Sequence, residues 1–349
     1  MKSMVAVHVE HGQPLVVEEL EFPAPGPEQV LVRQFASGVC HSQLHQLHNP
    51  AQPRPALLGH ESTGVVEAVG ANVPHVKEGD HVMVTWVPRS PAPGFRAAPA
   101  VLSFRGEEAR SQNVFTWAKH TLVDHQYVVP LAKDVPTDVT AIIGCAVLTG
   151  VGAAQNTANV QAGQSVAVFG AGGVGLCVIA GAAARRANPI IAVDLSDEKL
   201  AFAKQFGATH GINAKETDPV QAILDLTGGG ADFAFDAIGV RQTMEQILPA
   251  VKPGQLGYST GGTAVLVGVP QEDMTLNARM LLIGEKKYIG SIGGSSRPDR
   301  DFPQFVRMYK EGELDLNTLV TTRYPLEQIN EAVTALERGQ IAGRAILEL

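Results

Sequence analysis

The chain has 349 residues, 45% hydrophobic and 18% charged, which is enough for two domains because single cores stop growing near ~250–300 residues. A net charge of −8 and a pI near 5.8, with no Lys/Arg run, exclude a binder of the nucleic-acid backbone. No stretch approaches the ~18 consecutive apolar residues of a membrane span. The opening MKSMVAVHVEHGQPL is polar by its eighth residue and lacks the apolar core of a secretory leader. Cys40, Cys145 and Cys177 cannot all pair, so a reducing cytoplasm is expected.

The first ~140 residues read as strands. Val5–Val9 and Leu15–Val17 predict a hairpin, Gln29–Phe35 a strand after the proline-rich Pro23–Pro27, and Gly64–Val69 and His81–Trp86 two more, the last announced by the turn Lys77-Glu-Gly-Asp80. Pro88–Asn113, with four prolines and four arginines, has no clear periodicity and reads as a long loop or lobe.

From residue 146 strands and helices alternate. Val166–Phe169, Ile190–Asp194, Asp232–Ala237 and Ala264–Val269 are the strands; Val174–Ala187, Asp197–Phe206 and Arg241–Val251 are the helices. This alternation predicts an α/β fold with a doubly wound parallel sheet. Pro303–Lys310 and Leu326–Arg338 add amphipathic helices before a last strand, Ala345–Leu349. The expected division is a β-rich domain from residues 1–145 and 293–349, with a dinucleotide domain, 146–292, inserted between.

Gly170-Ala-Gly172-Gly173-Val174-Gly175 follows an apolar strand and opens a helix, the context a dinucleotide fingerprint requires. Gly170 serves the tight turn, Gly172 the approach of backbone to pyrophosphate, and Gly175 the close packing of helix on strand. The helix N-terminus offers unpaired N–H groups to the phosphates. Asp194, 19 residues after Gly175, ends the next strand, where its carboxylate can accept from both ribose hydroxyls. NAD is therefore expected over NADP.

Candidate metal ligands lie in Gly38-Val-Cys40-His-Ser-Gln-Leu-His45, Gly59-His60-Glu61 and Gly144-Cys145. Two thiolates and an imidazole suit zinc and leave a fourth position open. Their gaps of 20 and 85 residues do not join them locally. By spacing alone, Cys40 and Cys145 read more readily as buried core thiols, and His60 as a hydrogen-bonded loop histidine.

The segments GVCHSQLH, GHE, GCAVLTG and GAGGVG stand in the order and approximate spacing of the zinc-containing medium-chain alcohol dehydrogenases. The sequence resembles that family over nearly its whole length. The resemblance implies a GroES-like catalytic domain beside a Rossmann domain, and a homodimer or homotetramer. It implies reversible hydride transfer between a small-molecule alcohol and NAD, with catalytic zinc on Cys40, His60 and Cys145 and with Glu61 as a nearby acid. Ser42 and His45 match the proton relay. His41, Thr149, Lys199, Val269 and Arg344 match cofactor contacts, Arg344 through a phosphate.

Two departures matter. Many relatives carry four cysteines for a structural zinc in the segment corresponding to Pro88–Asn113; this chain has none there, so one zinc is expected and the lobe must be held by packing. Gln43 stands where the family usually has an aspartate behind the ligand histidine, and brings no negative charge to the site. Trp86 and Trp117 match pocket positions and predict an apolar slot for an aromatic or medium-chain alcohol. The alternatives are a zinc-free enone or quinone reductase of this fold and a non-catalytic nucleotide-binding protein; the intact ligands and relay argue against both.

Overall fold

The computed structural model describes residues 1–95, 97 and 100–349. The chain forms two compact units. One comprises Met1–Cys145, Arg297–Arg307 and Leu316–Leu349; the other comprises Ala146–Ser296 and Met308–Asp315. Among the described residues no helix is long and apolar enough to cross a membrane.

The first unit is built on two sheets. A five-stranded sheet runs Val16–Glu21, Lys2–His8, Ala56–Leu57, Glu107–Arg110, Val101–Phe104. The other, of seven strands, is organised around Gln29–Val39, which pairs with Glu61–Val69, His120–Asp124 and the C-terminal strand Arg344–Glu348. The opening hairpin pairs Lys2–His8 with Val16–Glu21, and Lys2–His8 is buried on both faces, with Val5 and Val7 in one core and Ala6 in another.

Pro88–Asn113 is more ordered than its sequence predicts, although Arg96, Ala98 and Pro99 lie outside the described residues. It contains a hairpin, Val101–Phe104 with Glu107–Arg110. Arg105 and Gly106 both have positive φ (51° and 87°), the signature of a two-residue turn that matches strand twist. Leu102, Phe104 and Ala109 point inward and pack with Val5, Leu20, Phe22 and Phe115. The period-two pattern was present but only four residues long on each strand, too short to stand out among prolines.

The second unit is a six-stranded, wholly parallel sheet in the order His210–Asn213, Ile190–Asp194, Val166–Phe169, Phe233–Asp236, Thr263–Leu266, Lys287–Gly290. Numbered along the chain this order is 3-2-1-4-5-6, the Rossmann arrangement. Its three central strands, Ile190–Asp194, Val166–Phe169 and Phe233–Asp236, are buried on both faces, as the middle of a parallel sheet requires. Helix Pro219–Thr227 was not read from the sequence, although its signals were present: Asp218 caps the N-H groups of Val220 and Gln221, and Pro219 fills the first turn. The C-terminal helix is also shorter than predicted, spanning Ile329–Glu337 after a tight turn at Leu326–Gln328.

Candidate functional site

Sheet register assembles the metal-ligand candidates in the first unit. Ser37 on Gln29–Val39 faces Ser62 on Glu61–Val69, so running a few residues past Ser37 and back from Ser62 brings Cys40 and His60 together. Cys40 is extended (φ −106°, ψ 143°) and caps the helix His41–His48. Glu61 faces Thr85 on the next strand, His81–Thr85. The Thr85 hydroxyl donates to the Gly144 carbonyl at 2.7 Å, which anchors the turn that presents Cys145.

One ligand atom each from Cys40, His60, Glu61 and Cys145 lies within 4.8 Å of all the others. Cys40 is 5%, Glu61 0% and Cys145 6% exposed. The two sulfurs are 3.8 Å apart and not bonded as a disulfide. Zinc–sulfur bonds of ~2.3 Å at a tetrahedral angle give a sulfur–sulfur edge of roughly 3.8 Å. The donor set and its spacing therefore fit a tetrahedral zinc.

The ionisable groups of the cluster shift one another strongly. The hydrogen bond shared with Cys145 holds the Cys40 thiol well below its ordinary range, with help from Arg344 and His60 against the cost of burial. The same bond, together with burial, pushes Cys145 well up. Burial lowers the His60 pKa, but its hydrogen bond to Cys40 and the negative charge of Cys40 and Glu61 outweigh this and leave it raised. A divalent cation would satisfy both sulfurs without that single shared proton.

Arg344 holds a position at this cluster that the sequence did not reveal. It is 5% exposed, and its guanidinium donates to Glu61 Oε1 in a fully buried ion pair. Burial works against its charge, yet Glu61, Cys40 and Cys145 more than compensate and raise its pKa. A buried Glu61 signals a cationic partner, but that partner stands 283 residues away in sequence. Only the pairing of Arg344–Glu348 with Gln29–Val39 brings it in.

Around the cluster, the Ser42 hydroxyl donates to Cys40 Sγ at 3.3 Å. Ser42 and His45 are three residues apart on His41–His48 and so share one face of that helix. His41 is exposed, and its ring meets that of His45 edge-on at 5.6 Å. Gln43 is buried, with Oε1 accepting from the Gly59 N–H at 2.6 Å and Nε2 2.6 Å from His60 Nδ1.

The tryptophans part company. Trp86 is half-buried and leans on a core containing Val30, Val82 and Val84, and its Nε1–H has no partner among the described residues. Trp117, expected as a second pocket wall, is instead 0% exposed. Its ring fills a core with Leu44, Leu47, Leu58 and Ile329, and its Nε1–H donates to the Gly38 carbonyl at 3.2 Å. Its apolar surface and its polar handle are both satisfied inside, which leaves no face for a substrate.

In the second unit the glycine turn has the stereochemistry its spacing predicts. Gly170 has φ +96°, a Cβ on Gly175 would collide with the Gly170 carbonyl, and a Cβ on Gly172 would meet nothing within 4 Å. Gly172 therefore borders the open space a pyrophosphate needs. The helix Gly173–Ala184, which contains Val174, has no side-chain cap and no acid in its first turn, so none of its own first-turn side chains competes for the N–H groups at its start. Asp194 accepts from the N–H groups of Ala171, Leu195 and Ser196 at 2.7–3.1 Å, which fixes its carboxylate beside the turn. Lys199 lies in the first turn of Asp197–Ala203, Thr149 in the buried helix Ala146–Gly152, and Val269 is 49% exposed after Thr263–Leu266.

Comparison with known proteins joins the two units. Residues 26–133 match the alcohol dehydrogenase GroES-like domain, and residues 173–311 match the zinc-binding dehydrogenase family. The chain is 32% identical to the S-(hydroxymethyl)glutathione dehydrogenase of Saccharomyces cerevisiae, over 97% of this chain and 94% of that one. Among solved structures it resembles an alcohol dehydrogenase zinc-binding domain protein from Burkholderia ambifaria (33% identity, TM-score 0.90, 100% and 99% of the two chains). It likewise resembles the benzyl alcohol dehydrogenase of Acinetobacter calcoaceticus (30% identity, TM-score 0.89, again 100% and 99%). With a GroES-like unit that gathers two thiols and an imidazole, and a Rossmann unit that carries the glycine turn, the chain belongs to the zinc-containing medium-chain alcohol dehydrogenases.

Proposed function

We propose that this oxidoreductase is an NAD-dependent alcohol dehydrogenase with one catalytic zinc per chain, interconverting an alcohol and its aldehyde or ketone. The observation that carries the reading is the buried convergence of Cys40, His60 and Cys145 with Glu61, all ligand atoms within 4.8 Å of one another. Cys40, His60 and Cys145 would hold the zinc, and the absence of cysteine from Pro88–Asn113 supports a single metal. When bound, zinc supplies Lewis acidity that eases deprotonation of an alcohol near neutral pH, and NAD supplies the hydride acceptor. The rest falls to the chain. Ser42 takes the alcohol proton and His45 passes it outward. Gly170–Gly175 and the N-terminus of the following helix would cradle the pyrophosphate, and Asp194 would hold the ribose hydroxyls and repel a 2′-phosphate.

For the substrate, we infer an aromatic or medium-chain alcohol. Trp86 supplies an apolar, half-buried ring, and the resemblance to a benzyl alcohol dehydrogenase supports the aromatic case. A relative acting on S-(hydroxymethyl)glutathione supplies the competing substrate. The test is zinc analysis of the purified chain, followed by NAD⁺ reduction on benzyl alcohol, 1-hexanol, ethanol, sorbitol and S-(hydroxymethyl)glutathione. One zinc per chain and the highest kcat/KM on benzyl alcohol or hexanol are expected. Activity with no zinc, or ethanol, sorbitol or the glutathione adduct as best substrate, overturns the corresponding part.

A further inference from the structure

Gln43 sits between two groups that both make demands on one oxygen. Its side chain is buried, with Oε1 2.6 Å from the Gly59 nitrogen and Nε2 2.6 Å from His60 Nδ1. The backbone N–H of Gly59 can only donate, so the amide oxygen must face it and the NH₂ group must face the imidazole. An amide nitrogen has hydrogens and no free lone pair, so Nδ1 can satisfy it only by accepting. With Nδ1 taken by Gln43, Nε2 is the ring nitrogen left for the metal. A neutral imidazole that ligates through Nε2 carries its hydrogen on Nδ1, directly against the Gln43 NH₂. A carboxylate at this position would accept from both neighbours at once; an amide cannot.

Gly59 cannot relieve the conflict by moving. It has φ +90°, and a Cβ there would lie 2.5 Å from Thr116 Oγ1 and 2.6 Å from the Trp117 nitrogen. The backbone is pressed against a packed wall, and its N–H direction is fixed. A soft coordinate remains in the rotation of the Gln43 amide about its last bond.

Building on the zinc reading above, we propose that ligation of zinc by His60 turns the Gln43 amide over, so that Oε1 leaves the Gly59 N–H for the His60 Nδ1–H, and that Gln43 thereby keeps the metal exchangeable. With no metal bound, the imidazole can carry its hydrogen on Nε2, and Gln43, Gly59 and His60 are all satisfied. Ligation costs one of these bonds. Gln43 is thus a positioning residue that acts through His60, and a carboxylate in its place removes the cost. Partners behind a ligand histidine typically shift metal affinity by ~10–100-fold.

The test uses the full chain, zinc-loaded and chelator-stripped, with zinc content measured in each. In the wild type, amide hydrogen exchange at Gly59 is expected to speed up on zinc loading, because its acceptor has turned away. In Gln43→Glu, which keeps the length of the side chain, Gly59 exchange should not accelerate with zinc, and chelator competition should show zinc held ~10–100-fold more tightly. Added negative charge alone would tighten zinc but would not produce the wild-type difference at Gly59. Equal Gly59 exchange in zinc-loaded and stripped wild type overturns the proposal, as does a Gln43→Glu zinc affinity within about twofold of wild type. Should that variant fail to fold, the wild-type exchange measurement decides alone. A wild-type chain that takes up no zinc overturns the zinc reading and this inference with it; a loaded chain with unchanged Gly59 exchange overturns this inference only.

Discussion

The metal cluster and the nucleotide turn solve their problems at opposite ranges. Six consecutive residues, Gly170 to Gly175, hold their geometry because Gly170, Gly172 and Gly175 each answer a local steric demand: a positive φ, an open approach, a contact with no room for a Cβ. Cys40, His60 and Cys145 have no such local reason to meet. They meet because Gln29–Val39 and Glu61–Val69 pair in one register and Thr85 anchors Gly144. A turn can thus be disturbed by one substitution within it, whereas the cluster depends on a sheet and on a buried ion pair behind it.

The sharpest test of that contrast is Cys40→Ser. A serine oxygen is a poor replacement for a thiolate on zinc, so the chain should lose its metal, and alcohol oxidation should fall roughly 10³-fold or more. The Rossmann unit should keep its fold, because Cys40 belongs to the other compact unit. Zinc analysis, kcat and NADH binding measured on one preparation check this. A variant with zinc retained and kcat within tenfold would remove Cys40 from the ligand set.

Two substitutions in the support structure come next. Arg344→Met leaves Glu61 charged and buried without its guanidinium, a loss of about 3–5 kcal/mol in stability. Trp117→Ala opens a cavity in a core and should cost a similar ~3–5 kcal/mol. Urea denaturation would measure both. Because Trp117 has no exposed surface, its variant should also leave the ranking of alcohol substrates unchanged, and a changed ranking would return that ring to the pocket.

For the nucleotide turn the matching change is Asp194→Ser. It deletes the carboxylate expected to hold the ribose hydroxyls and to repel a 2′-phosphate. Preference for NAD over NADP, taken as the ratio of kcat/KM values, should shrink by roughly 10–100-fold. A wild-type enzyme that uses both cofactors equally well would show that Asp194 does not select.

What the sequence disclosed follows the same division. Strand, turn, helix and acid around Gly170 were legible because their logic lies within one βαβ span. Cys40, His60 and Cys145 were legible only through resemblance, since spacing alone favoured core thiols and a hydrogen-bonded loop histidine. Trp117 shows the limit of that route: a position that lines a pocket in relatives is here enclosed by Leu44, Leu47 and Leu58. Arg344 carries a contact that the resemblance did not supply, since the C-terminal strand sets its guanidinium on Glu61. The Pro88–Asn113 hairpin was hidden by its brevity. Its two strands are four residues each, and many partners of their inward residues, such as Val5, Leu20 and Phe22, lie roughly eighty to a hundred residues earlier.

The smallest effect expected is at His45, and it tests whether the helix His41–His48 does more than carry a ligand. Ser42 and His45 lie on one face of this helix, with Ser42 touching Cys40 and His45 a turn further out, partly exposed. A proton taken by the Ser42 hydroxyl needs an acceptor on the way to solvent, and the imidazole stands where one is useful. His45→Gln keeps a polar side chain but removes the basic nitrogen. Zinc content should not change, because His45 is not among the converging ligand atoms. Alcohol oxidation should slow by roughly 10-fold, less than the ~10² or more a well-placed acid–base group can contribute, because water can also carry the proton. The loss should be greatest at low pH, where release of a proton to solvent has the least driving force, and should fade as pH rises. A His45→Gln enzyme whose pH–rate profile overlays the wild type would mean that water serves Ser42 directly.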